Sequence, residues 1–214
     1  MTDYKIYPNV TIGPGAEIGE YVVIGCPPRG KAAGELPTVI GANAVIRSHT
    51  VIYAGNQIGD HFQSGHGAFL RECNTIGNNV SIGTRAVIEH HVEIGNGVRI
   101  HSQAFIPEYS VLEDECWIGP HVVFTNTLHP TCPAAKQCMK GPRICRRARV
   151  GANCTLLPGI VIGEDALIGA GSVVVRDVPP RGVAAGVPAR VIKSIDDLRC
   201  PFDLVKNPYE RTGP

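Results

Sequence analysis

Three histidines stand where a proton could be moved. His129 closes the run Phe124-Thr-Asn-Thr-Leu-His-Pro, His90 lies in Val87-Ile-Glu-His-His-Val-Glu-Ile-Gly, and His101 lies in Ile100-His-Ser-Gln. An imidazole with a pKa near ~6.5 can accept a proton from a nucleophile at neutral pH. Counting in steps of eighteen puts Glu72, His90, Glu108 and Asn126 on one line. With Glu89 and Gln103 they make a candidate polar site of carboxylates and amides. The plainer reading of each is a solvated surface group.

The cysteines offer a second chemistry. Cys132 and Cys138 bracket Cys-Pro-Ala-Ala-Lys-Gln-Cys, Cys145 follows, and Cys200 lies in Arg-Cys-Pro-Phe. Reduced thiols so grouped are candidates for a structural zinc clamp of Cys132, Cys138 and Cys200, pinning loop to tail. The spacing is not a standard Cys-x-x-Cys pair. Cys116 and Cys154 occupy small apolar positions of a repeat and read as core.

That repeat must position everything else. Steps of six from Ile40 reach Ile46, Ile52, Ile58, Ser64, Leu70, Ile76, Ile82, Ile88, Ile94, Ile100, Ile106, Leu112, Ile118 and Phe124, and only Ser64 is not large and apolar. Gly follows at Gly41, Gly59, Gly65, Gly77, Gly83, Gly95 and Gly119. The period also runs through Ile6, Ile12, Ile18 and Ile24, and through Ile144, Val150, Leu156, Ile162, Ile168 and Val174. A helix turns through about 600° in six residues, so its stripe would drift. A chain that bends every six residues fits: three sides to a coil, one aliphatic group per side aimed at the axis, Gly easing the corner. Coils would stack ~4.8 Å apart in parallel pairing. A β-sandwich needs period two and does not fit.

The expectation is therefore all-β, a parallel β-helix over residues 1–192. A Pro/Gly/Lys-rich loop at 26–38 and a protruding loop at 125–143 interrupt it, and 193–214 form a short C-terminal helix or tail. Loops that break a rigid solenoid are natural places for function.

Composition bounds the rest. A net charge of +1 over 214 residues points to neither nucleic acid nor an anionic membrane. No run approaches the ~20 apolar residues of a membrane span. Met1-Thr-Asp-Tyr-Lys lacks the apolar core of a secretion signal, so a cytoplasmic protein with reduced cysteines is expected.

The aliphatic-Gly-x-x-small-x hexad resembles that of the left-handed β-helix acyltransferases, whose layout is followed from about Ile6 to Ile192. The resemblance, not the period, implies left-handed coils; parallel crossovers in general are right-handed. Cys116-Trp-Ile-Gly-Pro-His-Val-Val-Phe-Thr-Asn, Val150-Gly-Ala-Asn-Cys-Thr-Leu-Leu-Pro-Gly and Ile168-Gly-Ala-Gly-Ser-Val-Val resemble nucleotide-linked 3-amino sugar N-acetyltransferases. That resemblance implies acetyl-CoA as co-substrate, a homotrimer with sites between subunits, and no metal in the chemistry. It places Gly151, Gly169, Ala170 and Gly186 along the pantetheine, and Arg190 or Lys193 near the phosphates. The His129 segment is similar to the Thr-His-Pro of sugar O-acetyltransferases, with one extra residue. The His90 segment resembles the catalytic stretch of bacillosamine-type N-acetyltransferases, with His91 where that family has an acid.

The expected function is acetyl transfer to the amino group of a nucleotide-linked amino sugar, a cell-surface glycan precursor. The alternative is O-acetylation of serine or of a sugar hydroxyl; the helical domain that precedes the coils in serine acetyltransferases has no counterpart ahead of Ile6. A γ-carbonic-anhydrase-like zinc site is suggested by Ser64-Gly-His-Gly-Ala-Phe-Leu-Arg, but Arg71 stands where a second histidine is needed. A non-enzymatic solenoid is the remaining reading.

Overall fold

The computed structural model describes residues 3–209. Each hexad supplies one very short strand, as in Thr75–Ile76, Ser81–Ile82 and Val87–Ile88, whose first residue faces out and whose second faces the axis. Ile76, Ile82 and Ile88 are buried, as are Ile46, Ile52, Leu70, Ile100, Ile106 and Phe124. Each such side chain contributes about 2 kcal/mol of gross burial. Ser64 is tolerated in this column because its hydroxyl meets Thr50 Oγ1 at 3.0 Å and accepts from the Arg47 amide.

The strands form three parallel faces in which every third strand pairs. Face one carries Val51, Phe69, Val87, Phe105 and Val123 in register on its outer side. Face two carries Gln57, Thr75, Glu93 and Val111. Face three carries Gln63, Ser81, Arg99, Trp117, Arg149 and Leu167. The whole is a left-handed parallel β-helix.

The glycines do not act as expected. The left-handed backbone falls two residues after the Gly column, at Asn43, His61, Asn79, Gly97 and Glu115. Such a φ costs a non-glycine residue about 1–2 kcal/mol and persists because the stack holds each corner on both sides. The Gly column is small for another reason. A Cβ on Gly151 would lie 2.6 Å from the Ala170 amide nitrogen and 2.8 Å from the Ile168 carbonyl, so coils approach too closely there for a side chain.

Both loops leave and rejoin without breaking the pairing: Ile12 pairs with Ile40, and Phe124 with Leu156. A hairpin closes the C-terminal end of the stack ahead of the expected short helix. Gly182–Gly186 pairs antiparallel with Ala189–Ser194, so regular structure passes residue 192. The short 3-10 helix Ile195–Asp197 follows, with a Ser194/Asp197 capping box. Arg147 clamps this end, bonding Asp165 at 2.9 Å while Arg181 pairs with Asp196. No helix is long and apolar enough to cross a membrane among the described residues.

Candidate functional site

The corner between faces one and two carries the polar cluster. Beneath it, inside the prism, Asn56 and Asn74 are buried and both donate to the Arg71 carbonyl at 2.8 Å. Asn74 Oδ1 also accepts from the Val92 amide at 2.8 Å, linking one coil to the next. These amides fix the backbone from which Arg71 and Glu72 project.

Arg71 forks onto Glu72 with Nε–Oε2 2.8 Å and Nη2–Oε1 3.0 Å, and reaches Glu89 at 3.1 Å. It also lies over the Tyr53 ring, 5.5 Å from its centroid. Glu72 and Glu89 respond differently. Burial draws the Glu72 carboxyl upward, but Arg71 outweighs it and holds it below the usual carboxylate value. At Glu89 burial prevails over Arg71, with Glu108 adding to it, and its pKa is raised.

One coil on, His90 Nε2 stands 3.5 Å from Glu108 Oε1, and Nδ1 lies 2.8 Å from His91 Nδ1. Glu108 Oε2 accepts from Asn126 at 2.7 Å, and Asn126 Oδ1 accepts from Thr127 at 3.1 Å. Tyr109 packs edge-on to His90, 6.0 Å between centroids, and tilted against His91. If His90 donates from Nδ1 to His91, its Nε2 is free to take a proton, and Glu108 then stabilises the imidazolium. His90, Glu108 and Asn126 are thus a continuous chain of side chains, with the Arg71, Glu72 and Glu89 ion pairs one coil below.

The other sequence candidates lie elsewhere. His129 is exposed in the long loop, and its ring makes no hydrogen bond among the described residues. His101 projects outward from the coil, as its place in the Gly column implies, and its ring is half-covered. It lies against Trp117, 4.5 Å between centroids, at the corner between faces three and one, and burial followed by Arg99 lowers its pKa. Gln103 is an exposed left-handed residue of that same far corner, with φ 60°, so it does not join Glu108. The three histidines therefore do not converge within one chain.

Gly151, Gly169, Ala170 and Gly186 follow one another along the edge that carries His101. Arg190 lies across the hairpin from Ala185, exposed, and bonds the Ala189 carbonyl at 2.9 Å; Lys193 is exposed beyond it. Cys132 and Cys138 are exposed on either side of the short turn Ala135–Gln137. No three His, Cys, Asp or Glu side chains gather to hold a metal among the described residues, so Cys132, Cys138 and Cys200 form no clamp. His66 bonds Ser48 Oγ at 2.9 Å, and Arg71 is committed to its carboxylates.

Arg71, His91, Tyr109 and Tyr53 were missed as partners in the cluster. The count by eighteen that linked Glu72 to His90 also links Arg71 to Glu89, so that pair was readable. The aromatic contacts depend on side-chain direction and were not.

Comparison with known proteins gives the setting. Residues 75–108 and 141–176 match the family model "Bacterial transferase hexapeptide (six repeats)". The chain is 37% identical over 97 residues to the galactoside O-acetyltransferase of Escherichia coli, covering 43% of this chain and 48% of that protein. It is 58% identical over 48 residues to the 2,3,4,5-tetrahydropyridine-2,6-dicarboxylate N-acetyltransferase of Enterococcus faecalis, covering 22% and 21%. The chain thus spans half or less of these relatives. In fold it is similar to the UDP-N-acetylglucosamine acyltransferase of Campylobacter jejuni, with TM-score 0.63 and 20% identity over 89% of this chain and 75% of that one.

Proposed function

We propose that this protein transfers an acetyl group from acetyl-CoA to the amino group of a nucleotide-linked amino sugar. The carrying observation is the His90–Glu108–Asn126 chain with Glu72 and Glu89 beside it. Three carboxylates face one guanidinium there, a balance that favours an ammonium group entering from solvent. The acceptor gives one proton to solvent, and the neutral amine attacks the thioester carbonyl. His90 Nε2 takes the second amine proton and returns it to the departing CoA thiolate. Orientation of the amine by Glu108 and Asn126 adds to this, and positioning alone can contribute ~7–11 kcal/mol.

A homotrimer would bring the two corners together. Face one presents an aliphatic and aromatic ladder, with Val123 still 40% exposed in the single chain. Three prisms packed by that face about a threefold axis set the His90 corner of one copy against the Gly151–Gly169 edge of the next. The edge would hold the pantetheine and the cluster the acceptor, in the cytoplasm where acetyl-CoA is made.

Hydroxyl acetylation is the second reading, favoured by the match to a galactoside O-acetyltransferase over 97 residues. Acetyl-CoA turnover measured against 3- and 4-amino sugar nucleotides, galactosides and serine decides between them. Turnover confined to hydroxyl acceptors would end the amine assignment, and no turnover with any acceptor would end acetyl transfer.

A further inference from the structure

Face three holds a cavity of about 500 Å³ that reaches the Gly151 edge, lined by Arg99, Trp117, Arg149, Gly151, Leu167 and Tyr209. The volume is in the range of small-molecule sites. Arg99, Trp117 and Arg149 are successive outward residues of one ladder. Tyr209 is brought back from the tail onto Arg149, whose guanidinium carbon lies 4.6 Å from the ring centroid.

Two features of the cavity point to an anion. Arg149 Nη1 is buried and has no hydrogen-bond partner. An orphaned donor on a charged group is costly, and an acceptor oxygen would relieve it. The carboxylate at the rim, Glu115, is paired with Arg146 at 3.4 Å, and Arg99 has no ion-pair partner among the described residues. Two guanidinium groups thus face a space walled by an indole and a phenol.

We propose that this cavity binds a nucleoside phosphate, its base against Trp117 and Tyr209 and its phosphate on Arg149 and Arg99. Aromatic walls hold a planar base, and a guanidinium fork matches phosphate oxygens. The site differs from the Arg190 and Lys193 end of the hairpin. The proposal rests on the reading of this chain as using nucleotide-bearing substrates, but its test reads binding and not turnover, so either can fail alone.

Trp117 is the only tryptophan in the chain, so its emission reports the site directly and needs no turnover. Full-length protein is titrated with adenosine 3′,5′-bisphosphate, with uridine diphosphate and with inorganic phosphate. Saturable quenching by at least one nucleotide is expected, with phosphate alone much weaker. Arg149→Ala should weaken nucleotide binding by about 10–100-fold, the loss of one charged hydrogen-bond partner. Tyr209→Ala, in the exposed tail, should weaken it several-fold without touching the coils. Displacement by CoA would assign the ligand to the acetyl donor, and its failure to displace bound uridine diphosphate to a nucleotide-bearing acceptor. Absence of saturable quenching by either nucleotide overturns the proposal, as does unchanged affinity in both variants.

Discussion

The Nδ1 atoms of His90 and His91 lie 2.8 Å apart, so a single proton between them selects the tautomer of both rings. His91 thereby holds the His90 ring in one orientation at this corner. Replacing His91 with Ala should free the His90 ring and lower kcat by about tenfold, within the range of general-base effects. His91→Asp, which can still accept from Nδ1, should recover part of the loss. Equal losses in both variants would show that only packing was disturbed.

His90→Asn should reduce kcat/KM by about 10²–10⁴-fold, and Glu108→Gln by less. His129→Ala should cost under tenfold, since that ring is exposed and unpartnered among the described residues. A large loss at His129 with little at His90 would move the base into the loop.

Glu89 carries a raised pKa, so its ionised form is held at a cost near neutral pH. Its stabilising contribution is present below the ordinary carboxylate value and is lost as pH rises through the folded one. Glu89→Gln should therefore leave stability equal or raised at pH 7, with Tm higher by up to about 2–4 °C, while turnover falls. A clearly lowered Tm would mean that the Arg71 pair dominates after all.

His101 has the opposite linkage. Burial first, and Arg99 second, keep its pKa below 6.5, so the unfolded chain binds a proton that the folded chain refuses. Stability is fully present above 6.5 and falls as pH drops through the folded value. Urea melts at pH 7.5 and 5.5 should show a smaller acid loss in His101→Phe than in the wild type, the ring still packing on Trp117.

Asn74→Ala should destabilise by about 1–3 kcal/mol, because the Val92 amide inside the prism loses its partner. Gly151→Ala should cost a similar amount through forced separation of coils. Thermal melts in the absence of ligand measure both. A neutral Gly151→Ala would mean that the stack opens more easily than its spacing implies.

The architecture was readable because one number governs it. A six-residue step gave the faces, and three of them gave the neighbours of Glu72, His90, Glu108 and Asn126. The same count separates Gln103 from Glu108, and it would have joined Arg71 to Glu89. What it cannot supply is rotamer and return path. That the outward-pointing His101 lies down on Trp117 is not read from spacing, and Tyr209 reaches Arg149 only because the tail folds back after a hairpin. The corner glycines were assigned a backbone role when their real task is to let adjacent coils touch.

Phe124 pairs with Leu156 as though the loop at 125–143 were absent, the coil resuming at Arg143–Ile144. The loop that starts at Asn126 is a bypass: its length does not enter the register of the rungs it leaves and rejoins. Selection on what the corner accepts is thereby uncoupled from selection on the scaffold, and new acceptors can be tried at almost no risk to folding.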